Sequence, residues 1–338
     1  MIELSSASSN PEEKLYIYQD DEIYIKRMVD CPLSQVNQAW HEGFDDGYTK
    51  KFGVTYRFTI DQLIQRFTIE THSLEYSVVC YCKQTNRPIG FIASGVRTLK
   101  NGMVMSWNGG TAIIPEYRRK GIGKKLMRAQ EQMYVEAKVD IASIEVVLQN
   151  ESALNLYKEM GFADYGLFVN MNQSGAISKD LFNLAGPLKL RPRPCTPQEV
   201  GALDWYPSYV PWQTQWQSHV FGGDCIMIEN QDTNEIVAYA VTKNRYDANG
   251  HVDFFSLRQT LLNPLLSLDD QQQDQILNTI LFNVLKPDLT CPRNITHAPL
   301  FPALNEKIVD FAQKLGFKKF IDILCLKKSL TNKFDLGF

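Results

Sequence analysis

"IIPEYRRKGIGKKLM", Ile113 to Met127, sets a proline stop, a basic run and two glycines one residue apart at the junction of a strand and a helix. Pro115 ends the strand and a turn runs through Glu116 to Lys120. From Gly121 the chain reads as a helix, with Ile122, Leu126, Ala129 and Met133 on one apolar face. The first turn of such a helix points unpaired backbone N–H groups ahead of it, at the positive end of the helix dipole. That end attracts phosphate. Gly121 and Gly123 let an anion reach the backbone itself. Arg118, Arg119, Lys120 and Lys124 add charge-assisted contacts, a set that suits a pyrophosphate better than one phosphate. A solvated basic turn leading into a surface helix would read the same way in isolation, so the flanking segments decide.

Upstream, "EIYIKRMV" (22 to 29) alternates as a strand, and "LSQVNQAWHEGF" and "IDQLIQRFTIETH" carry helical spacing. Strands then span 76 to 82, 88 to 99 and 103 to 114, an antiparallel meander with the turn pair Asn101-Gly102 between the last two. Downstream come a strand (141 to 149), a helix (151 to 160) and a strand (162 to 171). The fold class is α/β, a mixed, mostly antiparallel sheet flanked by helices. The second half repeats the order. "QTNRPIGFIA" (84 to 93) matches "DTNEIVAYAV" (232 to 241), and Asn101-Gly102 matches Asn249-Gly250, both at an offset of 148 residues. "NESALNLYKEMGF" (150 to 162) matches "NEKIVDFAQKLGF" (305 to 317) at an offset of 155. Three matches in one order indicate an internal duplication. The expected domains are 1 to 182 and 183 to 338, joined by the linker "NLAGPLKLRPRPCTP" (183 to 197).

Composition agrees: 338 residues, 44% hydrophobic, supply two cores of ordinary size. A net charge of -3 from 35 basic and 38 acidic residues gives no field that would favour nucleic acid. Seven scattered cysteines, with the histidines apart from them, form neither a disulfide framework nor a metal-binding pattern. No signal-like start and no apolar run of about 18 residues is present, so a cytoplasmic protein without a membrane partner is expected.

With these segments in place the chain resembles the GNAT superfamily of N-acetyltransferases. Arg118-x-x-Gly121-x-Gly123 matches that family's [Q/R]-x-x-G-x-[G/A] acyl-CoA loop, and Ile114-x-x-Tyr117-Arg118 matches its lead-in. Asn150-x-x-Ala153-x-x-Leu156-Tyr157-x-x-x-Gly161-Phe162 matches its second motif. The resemblance covers roughly residues 20 to 172 and, through the repeat, extends more weakly over 187 to 330. It implies two tandem GNAT-like domains, with acetyl-CoA as co-substrate and no metal.

Acetyl transfer to an amine needs a held donor, an unprotonated nucleophile, oxyanion stabilisation and a proton for the departing thiolate. By resemblance, residues 118 to 124, Ile122 included, would hold the CoA pyrophosphate. The pantetheine arm would pair with the strand end at Ile113 and Ile114, where an N–H faces the thioester oxygen. The double glycine at 109 and 110 would mark a bulge there. Tyr157 matches the family's general acid, since a phenol of pKa about 10 protonates a thiolate without ionising at neutral pH; spacing alone would equally make it a core aromatic. Asn150 resembles a pantetheine-binding residue or is simply a helix N-cap.

The base is not assigned, because "MVMSWNGGTAII" contains no acid. "WHEGFDDGYTKKFG" (40 to 53) falls where family members shape the acceptor site. Trp40, Phe44 and Tyr48 supply aromatic faces and Glu42, Asp45 and Asp46 carboxylates for a cationic amine; a solvated helix end would look alike. His41 is a proton relay or a structural histidine, and Cys80 and Cys82 are expected to be buried structural thiols. In the second half Asp269 and Gln271 stand where Gly121 and Gly123 do, and Ala312 stands for Tyr157. The reading is transfer of an acetyl group from acetyl-CoA, through a tetrahedral intermediate, to a primary amine of a small molecule or peptide. The alternative is a non-catalytic acyl-CoA-binding module.

Overall fold

The computed structural model describes residues 16–53, 56–297 and 302–331, so the N-terminal leader reading lies outside the described residues. The chain forms two compact units. The first takes Met1–Ile144, Glu151–Ala163 and Lys327–Phe338; the second takes Glu145–Asn150 and Asp164–Leu326. The expected boundary at 182/183 falls inside the second unit.

In the first unit, β1 (Tyr16–Gln19) and β2 (Ile23–Arg27) lead to α1 (Leu33–Gly43), α2 (Asp46–Phe52) and α3 (Ile60–Ile69). The meander follows as β3 (Ser73–Cys82), β4 (Pro88–Thr98) and β5 (Val104–Ile113), then α4 (Ile122–Glu136), β6 (Ile141–Val147) and α5 (Glu151–Glu159). Strands β1 to β5 pair antiparallel in sequence order, and β6 adds parallel to β5 after the α4 crossover. Helices α1 and α3, with Phe44 at the C-cap of α1, bury Trp40, Phe44, Leu63 and Phe67 against Val79, Phe91, Ala93 and Ala112. The α4 stripe buries Ile122, Leu126, Ala129 and Met133, as its spacing predicts.

The remaining elements are β7 (Ala163–Leu167), β8 (Val169–Gln173), β9 (Leu190–Cys195), α6 (Pro197–Ala202), β10 (Gly223–Asn230) and β11 (Glu235–Lys243). They continue as β12 (Arg245–Tyr246), β13 (Val252–Leu262), α7 (Asp270–Leu285), β14 (Arg293–His297), α8 (Pro302–Lys314), β15 (Lys318–Lys319) and β16 (Ile323–Ser329). The second sheet has the order β15-β8-β14-β13-β11-β10-β9. Its core joins Ile276, Ile280 and Leu281 of α7 to Ile228, Val237, Leu257 and Ile295. The duplication is visible in the elements: α7 begins 148 residues after α4, and β14 adds parallel to β13 as β6 does to β5.

Two segments depart from their expectation. The single strand expected at 162 to 171 is two, β7 beside β16 and β8 in the second sheet, parted at Phe168. Phe168 is buried and its N–H donates to the Ile323 carbonyl (3.0 Å). The stretch read as a linker contains β9, at the edge of the second sheet. Pro192 and Pro194 lie at alternate positions on it. An edge strand tolerates the missing N–H donors that a central one would not. Among the described residues no helix is long and apolar enough to cross a membrane.

Candidate active site

The site begins where two strands part. The parallel ladder of β5 with β6 runs from Met105↔Ile141 to Asn108↔Ile144, whereas β5 continues to Ile113 beside β4. One residue past that fork the register with β4 shifts: Ala93 faces Gly110 and Ser94 faces Asn108, leaving Gly109 as the extra residue of a bulge. The double glycine therefore marks a bulge, as expected. Residues 109 to 113 then present backbone on the edge that β6 has left. The Ile114 N–H donates to the Ile89 carbonyl on β4 (3.0 Å), so strand alternation turns the N–H and C=O of Ile113 to the opposite, open edge. Arg118 Nε–H donates to that Ile113 carbonyl at 2.9 Å.

Beyond β5 a single helical turn, Pro115–Tyr117, leads to Arg119 (φ 60°) and Gly121 (φ 77°), both left-handed. Gly121 is the N-cap of α4; open space surrounds it, so backbone conformation rather than crowding demands glycine. At Gly123 a Cβ would lie 3.0 Å from Leu156 Cδ2 of α5. No side chain caps α4 and no acid stands in its first turn; the Lys124 N–H closes on the Gly121 carbonyl (3.1 Å), which leaves the N–H groups before it and the dipole to a ligand. Arg119 and Lys120 are exposed, Lys120 lying over the Tyr117 ring (4.9 Å), and Lys124 pairs with Glu159 (2.7 Å). Ile114 and Ile122 are buried, so each can offer a ligand only its backbone. Arg118 is a clasp as well as a charge. Besides Ile113 it holds the Gly43 carbonyl (2.9 Å) and lies 3.7 Å from Asp45, tying the loop to the end of α1.

Tyr157 projects from α5 and is buried, with its ring 6.3 Å from that of Phe162. Burial pushes the phenol above its ordinary range, while a hydrogen bond with Thr111 acts against it. Thr111 Oγ1 in turn donates to Asn108 Oδ1 (2.9 Å). The phenol thus meets β5 two residues before Ile113, protonated at neutral pH. Asn150 belongs to the second unit, where its N–H donates to the Val147 carbonyl (2.9 Å).

The stretch from 40 to 53 divides into floor and clasps. Trp40 is wholly enclosed and stacks on Phe91 at 4.5 Å, so it supports the site without presenting a face. Phe44 is buried against it, and Tyr48 packs edge-on to Phe44. The Tyr48 phenol is raised by burial first, then by Tyr56 and Tyr157, which places it in the surroundings of Tyr157. The carboxylates are matched: Glu42 with Arg87 (2.6 Å), Asp45 with Arg118 and the Tyr48 N–H (2.8 Å), and Asp46 with Arg57 (2.7 Å). His41 is structural, its Nε2 accepting from the Phe58 N–H (2.9 Å).

Sequence reasoning missed His72, between α3 and β3. Its ring stacks on Trp107 (5.1 Å, 0°) and lies against Gly109. The paired glycines were its only trace. The two cysteines also differ from one another: burial pushes the Cys80 thiol up to about 12, whereas hydrogen bonds with Thr85 and Tyr117 bring Cys82 down to about 7.

The second unit shows the same helix start closed. Asp269 caps α7, its carboxylate accepting from the Gln272 N–H (2.8 Å) while Gln272 accepts from the Asp269 N–H (3.0 Å). With Asp270 in the first turn, those N–H groups are satisfied internally and an anion is repelled. Ala312, buried on α8, replaces the phenol.

Residues 37–162 match the acetyltransferase (GNAT) family model. An N-alpha-acetyltransferase of Sulfurisphaera tokodaii is 32% identical over 91 residues, covering 27% of this chain and 50% of that protein. The chain thus spans about half the length of that relative. Among solved structures, a GCN5-related N-acetyltransferase from Sphaerobacter thermophilus superposes with TM-score 0.58 at 11% identity, over 94% of this chain and 99% of that one. A tandem GNAT protein from the clavulanic acid biosynthesis pathway gives 0.55 at 11% identity, over 93% and 100%. At such identities the likeness concerns the fold, and the fold is that of two tandem GNAT domains.

Proposed function

We propose that the first unit is an acetyl-CoA-dependent N-acetyltransferase acting on a primary amine of a small molecule or peptide, and that the second is a degenerate copy without a CoA site. One observation carries the reading: an open strand edge at 109 to 113 leads straight into an uncapped, acid-free helix start, with a buried phenol beside that edge. Acetyl-CoA supplies a reactive acetyl thioester and a pyrophosphate handle. The N–H groups of Gly121 to Gly123 would hold the pyrophosphate, with Arg119 and Lys120 on its outer oxygens. The backbone of Ile113 would pair with the pantetheine arm and stabilise developing negative charge on the thioester oxygen. Tyr157 would deliver a proton to the departing sulfur. Arg118 would keep the loop and the acceptor segment in register. The relative named an N-alpha-acetyltransferase lends support to a peptide α-amine as acceptor.

The test is calorimetric titration with acetyl-CoA, followed by CoA release on a panel of alkylamines, amino sugars and peptides with free N-termini. Wild type is expected to bind and turn over. Tyr157→Phe is expected to bind acetyl-CoA normally and to lose about 10²-fold or more in kcat, the scale of a positioned general acid. Undiminished turnover would remove Tyr157 from the mechanism, and tight binding with no product on any amine would favour the non-catalytic module.

A further inference from the structure

Resting on that reading, we propose that His72 takes up the proton released by the acceptor amine through a bridging water, with Glu70 as its orienting partner. The ring is fully enclosed, T-shaped to Phe67 (5.1 Å) and stacked on Trp107. Its Cε1 would lie 2.3 Å from a Cβ at Gly109, so the imidazole packs on the glycine backbone of the bulge. Nε2 lies 3.6 Å from Glu70 Oε2, and Glu70 is paired with Arg66 at 3.1 Å. Neither Nδ1 nor Nε2 has a hydrogen-bond partner among the described residues. Nε2 is the nitrogen nearer the carboxylate, which assigns Nδ1 to take the proton, and the carboxylate stabilises the imidazolium that forms.

Position and elimination agree. His72 and Tyr157 approach β5 through different partners, His72 at Trp107 and Gly109 and Tyr157 at Thr111. A base and an acid so placed serve nitrogen and sulfur separately. The alternatives nearby are engaged: Glu42, Asp45 and Asp46 are paired with arginines, and His41 already accepts a hydrogen bond. Burial lowers the imidazole pKa; among its charged neighbours Glu70 raises it and Arg66 and Arg97 lower it further. His72 is therefore neutral, and competent as a base, at neutral pH.

The proton count closes. An alkylammonium gives one proton to His72 through the water, the free amine forms the C–N bond to give the tetrahedral intermediate, and its collapse breaks the C–S bond. The second proton leaving nitrogen replaces the one Tyr157 gives to sulfur, and His72 returns its own to solvent.

The experiment is the pH profile of kcat/KM for the most active amine of the panel at saturating acetyl-CoA, for wild type, His72→Gln and Glu70→Gln. Wild type is expected to show an acid limb below the ordinary histidine value of about 6.5. His72→Gln should bind acetyl-CoA normally, lose about 10²-fold or more in kcat and lack the limb. Glu70→Gln should lose less and move the limb to lower pH. Retention of the limb or of kcat in His72→Gln would overturn the assignment, as would an unmoved limb in Glu70→Gln. If His72→Gln does not fold, His72→Phe, which keeps the stack on Trp107, takes its place. Failure of wild type to bind acetyl-CoA would instead overturn the function on which the assignment rests.

Discussion

A methyl group added at Gly109 would sit 2.3 Å from His72 Cε1 and 2.4 Å from Trp107 Cζ3, closer than side-chain atoms approach. Gly109→Ala must therefore push the imidazole and indole off their stack or flatten the bulge. Overpacking of this kind costs about 1–3 kcal/mol. Urea unfolding followed by a probe in the first unit is expected to show a loss of that size; a variant as stable as wild type would mean the bulge is more pliant than its packing implies. The residue matters because the bulge falls where β6 leaves β5, so the same glycine opens the edge and admits His72 beneath it. At Gly121 the requirement is different: the left-handed backbone needs glycine and no neighbour crowds it.

At the scale of elements, α4 is aimed by an anchor in its own first turn. Lys125 pairs with Asp20 (2.7 Å) in the turn between β1 and β2. Burial opposes ionisation of Asp20, but Lys125 and the N–H groups of Ile23 and Glu22 outweigh it and hold the carboxyl far below its ordinary range. A folded pKa below the unfolded value of about 3.9 contributes stability above that value and loses it as pH falls through the folded pKa. Asp20→Asn is thus expected to lower Tm at pH 7, with the gap to wild type shrinking below about pH 4. A gap that does not change with pH would contradict the anchor. Much of this was legible beforehand: Pro115, the two glycines and the apolar stripe announce α4, and Asn101-Gly102 announces the β4–β5 hairpin. Other features were silent because they depend on partners far along the chain. Periodicity continues unbroken across Phe168, so nothing in 162 to 171 signals that β7 and β8 join different neighbours. Pro192 and Pro194 read as breakers because an edge position is invisible locally. Glu42 and Asp45 read as ligands for a cation because Arg87 and Arg118, which neutralise them, lie 45 and 73 positions away.

Across the whole molecule one fold is used twice, and the proposed site lies in one of the two copies. The first unit carries the open strand edge, the uncapped α4 and Tyr157. The second repeats the meander, crossover helix and parallel strand, yet closes its helix start with Asp269 and Gln272 and has Ala312 for the phenol. Charge at the helix N-terminus separates the two copies: α7 turns its first N–H groups to its own carboxylate, whereas the uncapped, acid-free start of α4 suits a phosphate. Calorimetric titration of the intact chain with acetyl-CoA tests this most directly, beside Gly123→Asp, which sets an acid in the first turn of α4 and crowds Leu156. The expected result is one acetyl-CoA per chain, with binding lost in Gly123→Asp; two equivalents, none, or full binding by the variant would contradict it.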